Sequence, residues 1–180
     1  MIDNMDWFID NLRDKAPFGF ARFNDGEMMG IANAGCVVAR GDQRVDGTLS
    51  LSLRDYEFLT RAVVTTNRNW KRFMSEFPEV MGNRRLIWIS GNDQNIEGIK
   101  DLGLNLAKTA LIPRKNSWLF YEKIRQMMPQ YFESGDVVGI SLGPAARVLV
   151  RQWFEEYPDI TFIDMGSNLD PITRNVYHNC

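Results

Sequence analysis

Asp25 and Glu27 stand on either side of Gly26 in the stretch "ARFNDGEMMGI", with Arg22 and Asn24 just upstream. Carboxylates two apart in an extended or turn segment point to one side. Hard oxygen ligands of that kind suit Mg2+ or Mn2+, and Gly26 would let a ligand approach the backbone. The same residues fit a second role. Asn24 followed three residues later by Glu27 matches a capping box, and acids are favoured at a helix N-terminus. On spacing alone the cap is the simpler reading.

Other clusters could act on an anion. In "SLGPAARVL", Ser141, Gly143 and Pro144 form ordinary strand-to-helix punctuation. The same geometry aims free N–H groups and a helix dipole at a group such as a diphosphate. In "PRKNSW", Arg114 and Lys115 precede Asn116 and Ser117 at another helix start. They are either a solvated basic turn or a means of neutralising a phosphate leaving group. Asp164 ends a hydrophobic run. A carboxylate there either bonds a neighbouring loop or lines a site. Met28 and Met29 read as core or pocket wall, and His178 as tail.

Composition narrows the chemistry. The formal net charge of the 180 residues is −2, so no global positive field argues for nucleic acid or an anionic membrane. Two cysteines, Cys36 and Cys180, make no disulfide framework or cysteine zinc site. The single histidine argues against a Ser-His-Asp triad, so a catalytic acid or base is expected to be a carboxylate. No apolar run approaches the ~20 residues that span a bilayer. The opening residues are acidic and mixed rather than basic and then apolar. The expectation is one domain over 1–180, in the cytoplasm, without a membrane span.

These residues need elements to position them. Helical spacing covers 5–14, ended by Pro17, then "GEMMGIANAG", 48–61, "NWKRFMSEF", a weaker stretch over 94–106, "WLFYEKIRQMMPQYF" and "PAARVLVRQWFEEY". Asn116 or Ser117 caps the sixth of these, and Pro129 kinks or ends it. Arg68, Lys71 and Arg72 lie on an exposed helix face, with Trp70 and Phe73 inward. Short apolar runs read as strands: "FGFARF", "CVVAR", "AVVTT", "RLIWIS", "TALIP", "DVVGISL" and "ITFIDMG". The alternation predicts an α/β fold, a Rossmann-like, mainly parallel sheet with helices on both faces. Ligands bind such sheets outside the carboxyl ends of the strands. "RFNDGE", "SGNDQ", "PRKNSW", "SLGP" and "DMGSNLD" all follow strands, so they are expected on one rim.

In combination these stretches resemble a known family. "FARFNDGEMMGI" is similar to the "R-F-G-D-G-E" signature of the GT-D-type glycosyltransferases, first catalogued as a domain of unknown function. "IPRKNSW" resembles that family's middle element. "VVGISLGPAARVLVRQWFEEYPDITFIDMGS" resembles its C-terminal helix and strand. The order is the family's. The resemblance implies transfer of a sugar from a nucleotide donor, with a divalent metal at Asp25 and Glu27. It places Arg22 and Gly26 in the same motif, and Gly143, Pro144, Asp164 and Gly166 in the C-terminal one. Asn24 stands where the family has glycine. The chain is also shorter than many members, so parts that bind the acceptor are expected from a partner or not at all.

The expected activity is metal-dependent transfer from a nucleotide-sugar, a UDP-sugar in the first instance, to a hydroxyl acceptor on a glycan or glycoprotein. Mn2+ or Mg2+ is the expected cofactor. Arg22, Arg114 and Lys115 would add positive charge, and Asp164 is a candidate base. Two rivals stand beside it. One is another nucleotide-binding α/β enzyme, a methyltransferase or phosphoesterase, although neither a G-x-G-x-x-G turn nor a P-loop motif occurs. The other is a binding module without turnover. The oligomeric state, a homo-oligomer included, is open.

Overall fold

The computed structural model describes residues 5–20, 69–113 and 115–176. In chain order, α1 is Met5–Arg13, β1 Gly19–Phe20, α2 Trp70–Met81, β2 Arg85–Gly91 and α3 Glu97–Lys100. Then come β3 Asn105–Ile112, α4 Tyr121–Met127, β4 Val137–Ser141, α5 Pro144–Glu156, β5 Thr161–Asp164 and α6 Asp170–Thr173. The expected elements at "GEMMGIANAG", "CVVAR", 48–61 and "AVVTT" lie outside the described residues. No described helix is long and apolar enough to cross a membrane.

The described residues form a sheet of five strands in the order β1-β5-β4-β2-β3, and every described pairing is parallel. Side-chain alternation splits the core between its faces. Leu86, Trp88, Val137 and Ile163 pack with Phe8, Phe73 and Phe77 of α1 and α2. Ile87, Ile89, Val138, Ile140 and Phe162 pack with Leu149 and Trp153 of α5 and Ile124 of α4. Burial on both faces explains why these strands read as continuous apolar runs. The α/β class with a parallel sheet and helices on both faces is thus the observed one. Trp88 crosses β4 closely: a Cβ on Gly139 would lie 2.7 Å from its ring.

Several boundaries differ from the sequence expectation. Pro17 does not end α1. Lys15 does, in a left-handed conformation (φ 57°), with its N–H bonded to the Leu12 carbonyl and the Ala16 N–H to that of Asn11. This is a Schellman ending. The helix expected over 94–106 shrinks to α3. Gly103 (φ 74°) turns the chain left-handed, and β3 then starts at Asn105 to pair with Arg85 of β2. The ladder overrides a weak helical period. The long helix after residue 116 is broken into a 3-10 turn at Ser117–Phe120, α4, and a second 3-10 turn at Pro129–Tyr131. Neither Asn116 nor Ser117 caps α4. Asn116 is itself left-handed (φ 59°) and makes no side-chain cap bond, and the Ser117 hydroxyl bonds elsewhere. Pro129, lacking an N–H, stops the α-helix as expected. The tail carries a helix that periodicity did not signal, α6, with Pro171 in its first turn.

The topology has a switch point. From β2 the chain goes outward to β3, and from β4 it goes the other way to β5, yet β2 and β4 are neighbours. The connections leaving their carboxyl ends therefore set out in opposite directions, at the kind of place where open α/β sheets bind ligands.

Candidate functional site

The switch point carries a buried polar network. Gln94, on the loop after β2 and only 5% exposed, donates through Nε2 to Ser141 Oγ at the end of β4 (3.2 Å) and to Asp170 Oδ1 (3.4 Å). Its Oε1 accepts from the Trp88 indole N–H at 3.0 Å. Ser141 Oγ in turn donates to the Gly166 carbonyl on the loop after β5. Arg174 holds both oxygens of Asp170 (2.9 and 3.0 Å) and reaches Asp93 at 2.9 Å. The Asn95 N–H bonds the Thr173 carbonyl, and the Asn92 N–H that of Ile112 at the end of β3. One polar network so joins the loops after β2, β4 and β5. Shared hydrogen-bond networks of this kind rigidify the backbone around them.

Beside this network lies the turn from β4 into α5. Gly143 takes φ 58° and ψ −138°, and an added Cβ would meet nothing within 4 Å. The backbone angle, not crowding, is what requires glycine there. Pro144 occupies the first turn of α5, where its missing N–H costs nothing. The "PRKNSW" turn is seated against this one, because Ser117 Oγ donates to the Leu142 carbonyl at 3.0 Å. Lys115 and Asn116 are exposed beside it. Trp118, 55% exposed, stacks on Tyr121 with ring centroids 5.0 Å apart.

Asp164 closes β5 with its side chain fully buried. Oδ1 accepts the Gly166 N–H at 3.0 Å, and Oδ2 lies 3.4 Å from a guanidinium nitrogen of Arg147 on α5. Of the two readings of Asp164, the structure shows the first: it bonds its own loop. Gly166 (φ 49°) is used through both its N–H and its carbonyl.

The structure thus brings Ser141, Gly143, Pro144, Asp164 and Gly166 together, with Lys115 and Asn116 on the adjoining turn. Arg22, Asn24, Asp25, Gly26, Glu27 and Arg114 lie outside the described residues. The strand that precedes the acidic stretch is placed: Phe20 pairs with Ile163, so β1 ends on the same rim. Among the described residues no group of three His, Cys, Asp or Glu side chains could hold a metal ion. Residue-by-residue reading missed Gln94, Arg147, Asn168, Asp170 and Arg174. Gln94, Asn168 and Asp170 lay within stretches already flagged as rim loops, but type and spacing do not tell which polar residue will be buried.

The other buried charged cluster sits at the opposite, amino end of the strands and serves the fold. Arg84 donates to the carbonyls of Gly135 and Leu12 and to Thr161 Oγ1. Arg85 pairs with Glu133 and Asp136. Burial pushes the Asp136 carboxyl above the usual carboxylate range, against the pull of Arg85 and Arg84. Burial also lowers Arg84.

The chain is similar to a solved structure described as "The highly conserved domain of unknown function 1792 has a distinct glycosyltransferase fold". The TM-score is 0.49 at 14% identity, over 91% of this chain and 72% of that one. No protein-family model and no curated protein matches.

Proposed function

We propose that this chain is a metal-dependent glycosyltransferase that moves a sugar from a nucleotide-sugar, taken first as a UDP-sugar, to a hydroxyl of a glycan or glycoprotein acceptor. The observation that carries the reading is the shared rim. The three stretches that resemble the family's elements follow β1, β3, and β4 with β5, and these strands end on one side of one parallel sheet. The Ser117–Leu142 bond draws the middle element against the C-terminal one.

The roles follow from chemistry. The start of α5 at Gly143–Pro144 offers the positive end of a helix dipole to the donor diphosphate. Lys115, with Arg114 and Arg22, adds charge to the departing nucleotide. Asn24, Gly26, Asn116, Ser141 and Gly166 shape the turns around it. Trp118 presents an apolar face to an acceptor sugar ring. Asp164 takes the acceptor proton if transfer inverts. For that its fully buried carboxylate must be uncovered and its contact with Arg147 must loosen, since a carboxylate held by a cation is a weaker base. Asp25 and Glu27 would hold Mg2+ or Mn2+, and their two hard carboxylates fit either ion. When bound, that ion supplies neutralisation of diphosphate charge.

The test is calorimetric titration of a UDP-sugar, with and without Mn2+, into wild type, Asp25→Asn and Glu27→Gln. Both variants preserve a helix cap. If the carboxylates serve a metal, Mn2+-dependent binding falls sharply while folding holds. Equal binding in all three proteins without metal dependence would return the motif to a helix cap.

A further inference from the structure

We infer that the side-chain amide of Asn168 is a ligand contact that takes a pair of neighbouring hydroxyls, on the transferred sugar or on the ribose; the ligand class rests on the reading above. Asn168 lies just beyond β5 and is 3% exposed. Its backbone is fixed. Its own N–H bonds the Met165 carbonyl at 2.9 Å, and the Met165 N–H bonds that of Ile140 on β4. The side chain is another matter. Among the described residues neither Nδ2 nor Oδ1 meets a hydrogen-bonding partner.

Most polar side chains around it are bonded, the Nε of Arg174 excepted. Among the described residues, Ser90, Gln94, Ser141, Asp164, Asp170 and Thr173 are the other buried polar residues of the rim and its supports. Each makes a side-chain hydrogen bond. Two enclosed groups that bond nothing oppose folding, and such groups in native proteins call for a reason. The amide presents one donor and one acceptor side by side. A phosphate, which only accepts, would satisfy half of it. A vicinal diol satisfies both, because each hydroxyl donates and accepts. The position suits this role, on the loop whose Gly166 carbonyl is held by Ser141 at the end of β4, next to the switch point.

The experiment compares wild type with Asn168→Leu, which keeps the shape, and Asn168→Ala, which adds no bulk. Melting without ligand and calorimetric titration with UDP-glucose and with UDP, both with Mn2+, are read on all three. The expected result is an unliganded melting temperature for Asn168→Leu equal to or above wild type, with UDP-glucose affinity down about tenfold in both variants. Unchanged UDP affinity assigns the diol to the sugar, and a parallel loss assigns it to the ribose. A large fall in melting temperature of both variants overturns the inference, since the amide then holds the fold through protein or buried water. So does unchanged UDP-glucose affinity in a protein that binds it. If wild type binds no nucleotide-sugar, the functional reading fails, and free hexoses and uridine are titrated into the same three proteins. Equal response there, or none, overturns the contact as well.

Discussion

Gln94 Nε2 and Ser141 Oγ lie 3.2 Å apart across the point where the strand order reverses. The pair ties the two loops that would otherwise splay, and it does so from a residue whose other end holds a core tryptophan. Gln94→Leu should leave the Trp88 N–H and an Asp170 oxygen with fewer bonds in a dry place. The expected cost is about 1–3 kcal/mol, read as a lower urea midpoint with an unchanged m value.

Gly139 and Trp88 form a second coupled pair. A Cβ at residue 139 would lie 2.7 Å from the indole, which cannot shift without breaking its bond to Gln94. Gly139→Ala should cost about 1–3 kcal/mol by overpacking. In a Trp88→Phe background the same change should cost less. Additive effects in the double mutant would show that the two do not meet.

Lys115 and Arg114 separate site from scaffold. Lys115 is exposed, so Lys115→Ala should move stability by no more than about 0.5 kcal/mol while weakening nucleotide-sugar binding. Undiminished donor affinity in both Lys115→Ala and Arg114→Ala would take the basic turn out of the site.

Asp136 gives a pH dependence of known sign. Burial raises its folded-state pKa above the unfolded value, so the folded protein holds that proton more tightly. The resulting stability is complete below the ordinary carboxylate range and is lost as pH rises through the raised value. Asp136→Asn lacks this contribution. The wild-type advantage over the variant should therefore shrink as pH climbs from about 4, in urea unfolding at a series of pH values. An advantage that grows with pH would mean the ion pair with Arg85 outweighs burial.

The sheet was legible because buried parallel strands are apolar end to end. "RLIWIS", "DVVGIS" and "TFID" appear within a residue or two of their expected positions. Edges were less so. Residues 105 and 106 read as the end of a helix, and 107 and 108 as neither helix nor strand, because half-exposed edge residues alternate weakly, and only pairing with β2 reveals the full strand. Lys15 as a helix stop could not be read, since its left-handed turn is fixed by the Asn11 and Leu12 carbonyls rather than by residue type. The rim followed from topology alone. Which polar residues lie beneath it did not, because the burial of Gln94, Asn168 and Asp170 depends on loops converging from distant parts of the chain.

The pairing of β1 with β5 has a consequence for the order of assembly. Gly19 and Phe20 dock on Phe162 and Ile163, so among the described strands β1 meets its sheet neighbour only after the ribosome has passed those residues. Until then Phe8, Phe18 and Phe20, which end buried together with Ile163, lack that part of the sheet face they cover. Long-range parallel closures of this kind are slow to form. Refolding should therefore show the amino-terminal aromatics protected late, and a nascent chain released before residue 162 should be held by chaperones that grip apolar segments.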